Sequence, residues 1–97
     1  MKLKNNLLNI KNKTALVIGG SGLIGKQVIS DFLMNNAKVI SLDIRKTSFN
    51  NKKNNYYKNL QYIKFDCANN NSEYEYNKIL NKIKKIDIFI NCSYPIN

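Results

Sequence analysis

The sequence predicts an α/β fold: a parallel sheet of four strands in the order 3-2-1-4 with crossover helices. Three observations predict it. Short β-branched runs alternate with stretches of helical spacing. All four glycines, Gly19, Gly20, Gly22 and Gly25, fall in one seven-residue window between the first such pair. An aspartate, Asp43 or Asp66, closes each of the next two apolar runs.

Thr14-Ala15-Leu16-Val17-Ile18 is short, apolar and β-branched, and reads as the first, buried strand. Leu23, Ile24, Val28, Phe32 and Leu33 then recur at helical spacing through Met34. Asn35-Asn36 ends that helix, because Asn tolerates the left-handed conformation. Residues 37–42 form a second strand, closed by Asp43. Residues 45–59 are rich in Lys and Asn without a period, and read as a solvated loop with room for one helical turn. Residues 60–65 form a third strand, closed by Asp66. Ser72 and Glu75 have capping-box spacing. The helix they open puts Tyr76, Ile79, Leu80 and Ile83 on one face, with Lys82, Lys84 and Lys85 in its last turn. Residues 86–90 give a fourth strand, apolar on both faces.

Length and composition bound the function. Ninety-seven residues make one small domain. No apolar run approaches the roughly 20 residues of a membrane span, and the first ten residues lack a signal-peptide shape. No His and two Cys argue against a zinc module or a disulfide framework. Sixteen Lys and Arg against six Asp and Glu give a formal charge of +10. The cations are almost all Lys, with Arg45 the single Arg, and they are spread along a chain rich in Asn, Ile and Tyr. That is a compositional bias rather than the clustered Arg of a nucleic-acid reader. The expectation is a cytoplasmic protein that touches neither membrane nor nucleic acid.

The glycine window carries the chemistry. Gly20-x-Gly22-x-x-Gly25 follows a strand and opens a helix, the context that gives this pattern meaning. Glycine lets the backbone approach a pyrophosphate, and the free N–H groups at the helix start hold its charge. Gly20, Ser21, Gly22, Leu23 and Ile24 are the expected pyrophosphate contacts, and Gly25 lets the helix pack close to the strand. Asp43 stands near the spacing at which an acid takes the adenosine ribose hydroxyls of NAD. Its carboxylate repels a 2′-phosphate, so NAD is favoured over NADP, with Arg45 and Lys46 close enough to offset part of that repulsion.

With these motifs the chain resembles the N-terminal half of a short-chain dehydrogenase/reductase, over nearly its whole length from about residue 7. The spacing Gly19-x-x-Gly22-x-x-Gly25 is similar to the family's extended, epimerase-like branch; the other main branch would place Gly where Leu23 stands. The resemblance implies a Rossmann-like NAD(P)-binding domain over residues 1–97, with hydride transfer as the parent chemistry. It implies that Asp66-Cys67 frames adenine, and that Asn91-Cys92-Ser93-Tyr94, where the family has Asn-Asn-Ala-Gly, lines the route to nicotinamide. Cys92 and Tyr94 depart from that motif. Tyr94-Pro95 also resembles a branch tied to surface-polysaccharide and flagellar glycan synthesis. Family members act through a Ser and a Tyr-x-x-x-Lys beyond the fourth strand, and the chain stops before them. Tyr74-Glu75-Tyr76-Asn77-Lys78 matches that pattern, but on the helix between strands three and four. No catalytic residue is assigned.

The expectation is therefore an NAD-binding portion without turnover of its own. A non-catalytic nucleotide-binding or interaction module is the alternative, and a basic nucleic-acid binder ranks third. The apolar fourth strand would form an exposed edge, a site for the rest of a longer protein or for self-association, and of marginal stability when bare. In the order 3-2-1-4, Cys67 and Cys92 lie three strand spacings apart, about 14 Å at ~4.8 Å each. A disulfide needs Cα atoms within about 7 Å, so both are expected as free thiols.

Overall fold

The computed structural model describes residues 9–46 and 55–92. Strands β1 (Thr14–Ile18), β2 (Lys38–Asp43), β3 (Leu60–Lys64) and β4 (Ile88–Asn91) form one sheet in the order β3-β2-β1-β4, every pair parallel. Helices α1 (Leu23–Met34) and α2 (Ser72–Lys82) make the crossovers, and a 3₁₀ segment, Asn55–Asn59, leads into β3. The expected strand order holds, as do the expected bounds of β1 and α1.

Alternation along each strand divides the core in two. On one face Val17 and Val39 pack with Ile29 and Leu33 of α1. On the other, Leu16, Ile18, Ile40 and Leu42 join Phe65 beneath Tyr76, Ile79 and Leu80 of α2 and Ile83 just past its end. Ala15, Leu16 and Val17 of the central strand are fully buried, as a parallel strand covered on both faces requires. Cutting Leu16 to Ala would cost about 2–5 kcal/mol.

Local chemistry sets the ends of the elements. Asn36 takes a left-handed φ of 64° after α1. Its N–H donates to the Leu33 carbonyl, and that of Ala37 to the Phe32 carbonyl, each at 3.0 Å. This pair of bonds closes the helix in a Schellman arrangement. Asn12 takes the same φ of 64° before β1, and its N–H donates to the Asn36 carbonyl at 3.0 Å.

Three expectations need correction. The Ser72–Glu75 capping box does not form. Ser72 is already helical, Asn71 holds the N-cap position, and no side chain caps the helix. An Asn turn one step upstream decides the start: the Asn69 side chain accepts the Asn71 N–H at 2.8 Å, and the Ser72 N–H goes to the Asn69 carbonyl at 3.0 Å. Second, α2 ends at Lys82 with Ile83 extended, so Lys84 and Lys85 lie on the connector rather than in the last turn. Third, β4 begins at Ile88 rather than two residues earlier. Asp87 turns its carboxylate onto the Thr14 N–H at 2.9 Å, while its own N–H donates to the Thr14 carbonyl at 2.8 Å. That side-chain bond stands where a ladder bond would otherwise continue. The β4 edge presents half-buried Ile88 and Ile90 and an exposed Phe89. Among the described residues no helix is long and apolar enough to cross a membrane.

Candidate functional site

The carboxyl ends of the four strands gather the residues singled out above. The loop from β1 to α1 is shaped by two of its glycines. Gly19 has φ 79°, a conformation that costs a side chain strain. Gly25 lies so close to the incoming strand that a Cβ would stand 2.3 Å from the Gly19 carbonyl oxygen and 2.8 Å from the Gly20 Cα. Gly20 is tight against side chains: its Cβ would meet Ser41 Oγ at 2.2 Å and Ile29 Cδ1 at 2.6 Å. Gly22 differs from all three. Its φ and ψ, −74° and 172°, suit any residue, and a Cβ there would meet only the Gly19 carbonyl oxygen, at an ordinary 3.6 Å. Among the described residues nothing requires glycine at position 22.

Gly22 is the N-cap of α1, and among the described residues no side-chain hydrogen bond caps the helix. The first-turn N–H groups of Leu23, Ile24 and Gly25 precede the first intrahelical bond, from the Lys26 N–H to the Gly22 carbonyl at 2.9 Å. The first turn carries no acid. The side chains of Leu23 and Ile24 stand out in solvent, Leu23 at 90% exposure. The result is an open positive helix end with room above it.

Asp43 stands beside this loop, at the end of β2. Its Oδ2 accepts the Ser21 N–H at 2.8 Å and its Oδ1 the Arg45 N–H at 3.2 Å. The Ser21 hydroxyl donates to the Arg45 carbonyl. The Ser21 N–H, expected on a pyrophosphate, is therefore engaged by Asp43. The carboxylate still has lone pairs, since each oxygen has room for two hydrogen bonds. Arg45 is exposed next to it. The Tyr62 hydroxyl, 2.9 Å from the carbonyls of both Asp43 and Ile44, steadies the strand end.

Asp66 lies two residues past β3, and its Oδ1 accepts the Ala68 N–H at 2.9 Å. Cys67 and Asn91 line one cleft of about 260 Å³ with Ile18 and Phe89, at the junction of β1 and β4. Here the chain leaves β1 in one direction and β4 lies in the other, the switch point at which α/β sheets bind ligands. Cys92 takes the opposite face. Its N–H donates to the Ile18 carbonyl at 2.7 Å, and its side chain packs against the α1-side core, where burial pushes the thiol pKa up. Ser93, Tyr94 and Pro95 lie outside the described residues. Cys67 and Cys92 are free thiols.

Tyr74 and Lys78 sit on the exposed side of α2, the Lys78 ammonium 5.4 Å from the centre of the Tyr74 ring. That stacking is an ordinary i, i+4 contact. Sequence reasoning missed Ser41 and Tyr62. Ser41 is 1% exposed, and its hydroxyl finds no partner among the described residues. Its signal was a lone hydroxyl in an otherwise apolar strand, directly beneath the glycine loop. Among the described residues no cluster of side chains could hold a metal ion.

Solved structures share this arrangement. A short-chain dehydrogenase from Leptospira borgpetersenii with bound NAD+ is 34% identical, with a TM-score of 0.72; the match covers 96% of this chain and 35% of that one. A short chain dehydrogenase family protein from Francisella tularensis is 31% identical, with a TM-score of 0.65, over 88% of this chain and 33% of that one. The chain thus spans about a third of the length of either structure. No curated protein matches it. Residues 15–96, from the first buried strand past the end of β4, match one family throughout. With its glycine loop, its strand-end aspartates and its strand order all in place, the chain belongs to the NAD dependent epimerase/dehydratase family.

Proposed function

We propose that the chain is the dinucleotide-binding portion of an NAD-dependent oxidoreductase. The observation that carries this reading is Gly22. Its geometry needs no glycine, yet a glycine stands there, over an uncapped helix end. A pyrophosphate seated on the Leu23 and Ile24 N–H groups supplies the missing reason, since a Cβ at position 22 would stand in its way. The family membership and the NAD+ held by the Leptospira structure support the same reading.

In this proposal Asp43 accepts the adenosine ribose hydroxyls through its remaining lone pairs, and keeps the loop in place through the Ser21 N–H. Its negative charge disfavours a 2′-phosphate, so NAD binds ahead of NADP, with Arg45 moderating the difference. Asp66 and Cys67 border the adenine. Asn91, Cys92 and Ser93 lead toward the nicotinamide, which carries hydride when bound. The chain's own residues bind and orient; among the described residues none is placed to move a proton during transfer. Catalysis in the whole protein falls to a Tyr-x-x-x-Lys beyond β4. The free edge of β4 takes a further strand, from the rest of a longer protein or from a second copy.

Calorimetric titration tests the proposal. NAD should bind more tightly than NADP. Asp43→Ala should weaken NAD by about tenfold, the scale of a lost charge-assisted bond, and should abolish the preference. The chain alone should turn over no substrate with NAD. Tighter NADP binding, or no binding of either dinucleotide, would refute the assignment.

A further inference from the structure

A cleft lies at the opposite end of the sheet from the glycine loop. It measures about 810 Å³ and opens where the amino ends of β2 and β3 meet the last turn of α2. Its floor is aliphatic, built from Ile40, Ile63, Ile79 and Ile83. Its rim carries Lys38, Lys58, Lys82, Lys84 and Lys85, and among the described residues no acidic side chain lines it. Lys85 pairs with Asp87 at 3.5 Å; the other four lysines are exposed. The carboxyl end of the sheet is mixed in charge, with Asp43, Asp66, Glu73 and Glu75 beside Arg45, Lys46 and Lys64.

We propose that this cleft docks an acidic amphipathic helix of a partner protein. An aliphatic floor within a basic rim is complementary to a helix with apolar residues at i, i+3, i+4 and i+7 and acids along its flanks. The floor is a sheet face and a helix side, which offer the side-chain surface that an amphipathic helix docks on. Among the described residues the lining has no Arg and no aromatic ring, the groups on which single-stranded nucleic acid stacks. Four of the five basic groups cluster in space although Lys38 and Lys58 are far from Lys82 and Lys84 in sequence, which is why the sequence reads them as scattered.

A synthetic amphipathic helix with Leu anchors and Glu flanks is the probe, titrated against the full chain. It should bind with a Kd of about micromolar to tens of micromolar. Binding should weaken at least about tenfold as salt rises to several hundred millimolar, and by a similar factor in the triple variant Lys38→Glu, Lys82→Glu, Lys84→Glu. The NAD affinity of that variant should be unchanged, because these residues lie at the far end of the sheet. Amide shifts on adding peptide should centre on Leu60 and Ile83 and spare the glycine loop. Absence of binding overturns the proposal, as does equal binding of a Lys-flanked peptide. So does salt-independent binding, a readout that stands even if the variant fails to fold. Tighter binding of single-stranded RNA or anionic vesicles at the same residues would also overturn it, assigning the rim to a different partner.

Discussion

Alanine placed in turn at Gly25, Gly20 and Gly22 should separate packing from binding within a single loop. At Gly25 the new methyl group meets backbone, the Gly19 carbonyl oxygen at 2.3 Å and the Gly20 Cα at 2.8 Å, and backbone cannot rotate away. Overpacking of this kind costs about 1–3 kcal/mol, against about 0.5–1 kcal/mol regained from helix propensity. The net loss is about 1–2 kcal/mol, a fall in Tm of roughly 4–16 °C for a domain of this size. At Gly20 the clash is with the Ser41 hydroxyl and the tip of Ile29, which can shift, so the loss should be smaller. At Gly22 the nearest atom is 3.6 Å away. Stability there should stay within about 0.5 kcal/mol, the lower unfolded-state entropy offsetting the weaker N-cap. NAD affinity should reverse the contrast, with Gly22→Ala weakening it while the fold stays intact. Urea unfolding followed by circular dichroism, with and without NAD, measures both quantities. Gly22→Ala that destabilises as much as Gly25→Ala, or that binds NAD as the parent does, would refute the reasoning.

Other perturbations test separate parts of the structure. The Thr14 N–H and Lys85 hold the Asp87 carboxyl pKa below its usual value. Its contribution to stability is complete above the unfolded carboxylate pKa and is lost as pH falls through the lower folded value. Acid unfolding of Asp87→Asn should therefore show a flatter acid limb than the parent; an unchanged limb would remove Asp87 from the account. Ser41→Ala removes a buried hydroxyl without a partner and should leave stability equal or up to about 1 kcal/mol higher; a clear loss in thermal melts would mean that the hydroxyl is satisfied. With a disulfide-exchange reagent, exposed Cys67 should react well before Cys92, which is half-buried with a raised pKa. Equal rates would contradict the packing of Cys92 against the α1-side core, and a recovered Cys67–Cys92 bridge would contradict the sheet order.

Most of the fold was legible because the apolar runs are short and well punctuated. Thr14–Ile18 and Leu23–Met34 coincide with their sequence readings, since one is bounded by glycine and the other by Asn35-Asn36. The misreadings arose where a polar side chain far away in sequence, or one step away, captured a backbone group. Asn69 moved the start of α2, and the Asp87 bond to Thr14 delayed β4. The site was legible in its membership but not in its wiring. Glycine spacing and strand-end aspartates located the loop, Asp43 and Asp66. No local pattern could show that Asp43 already holds the Ser21 N–H across 22 residues. Nor could any show that Asn91 and Cys92, adjacent in sequence, serve opposite faces of the sheet.

The placement of β1 has a consequence for assembly of the fold. Its partner on one side, β2, follows after one helix, whereas its partner on the other side, β4, lies at the far end of the described chain, with Thr14 and Asp87 separated by 73 residues. Closing the first loop is entropically cheap, and closing the second is costlier. The β1-α1-β2 unit can therefore form while the chain is still emerging, and its central strand keeps one flank of backbone groups open until residue 91 arrives. Hydrogen exchange should record that order, with the β1–β2 amides protected longest and the β1–β4 amides released first.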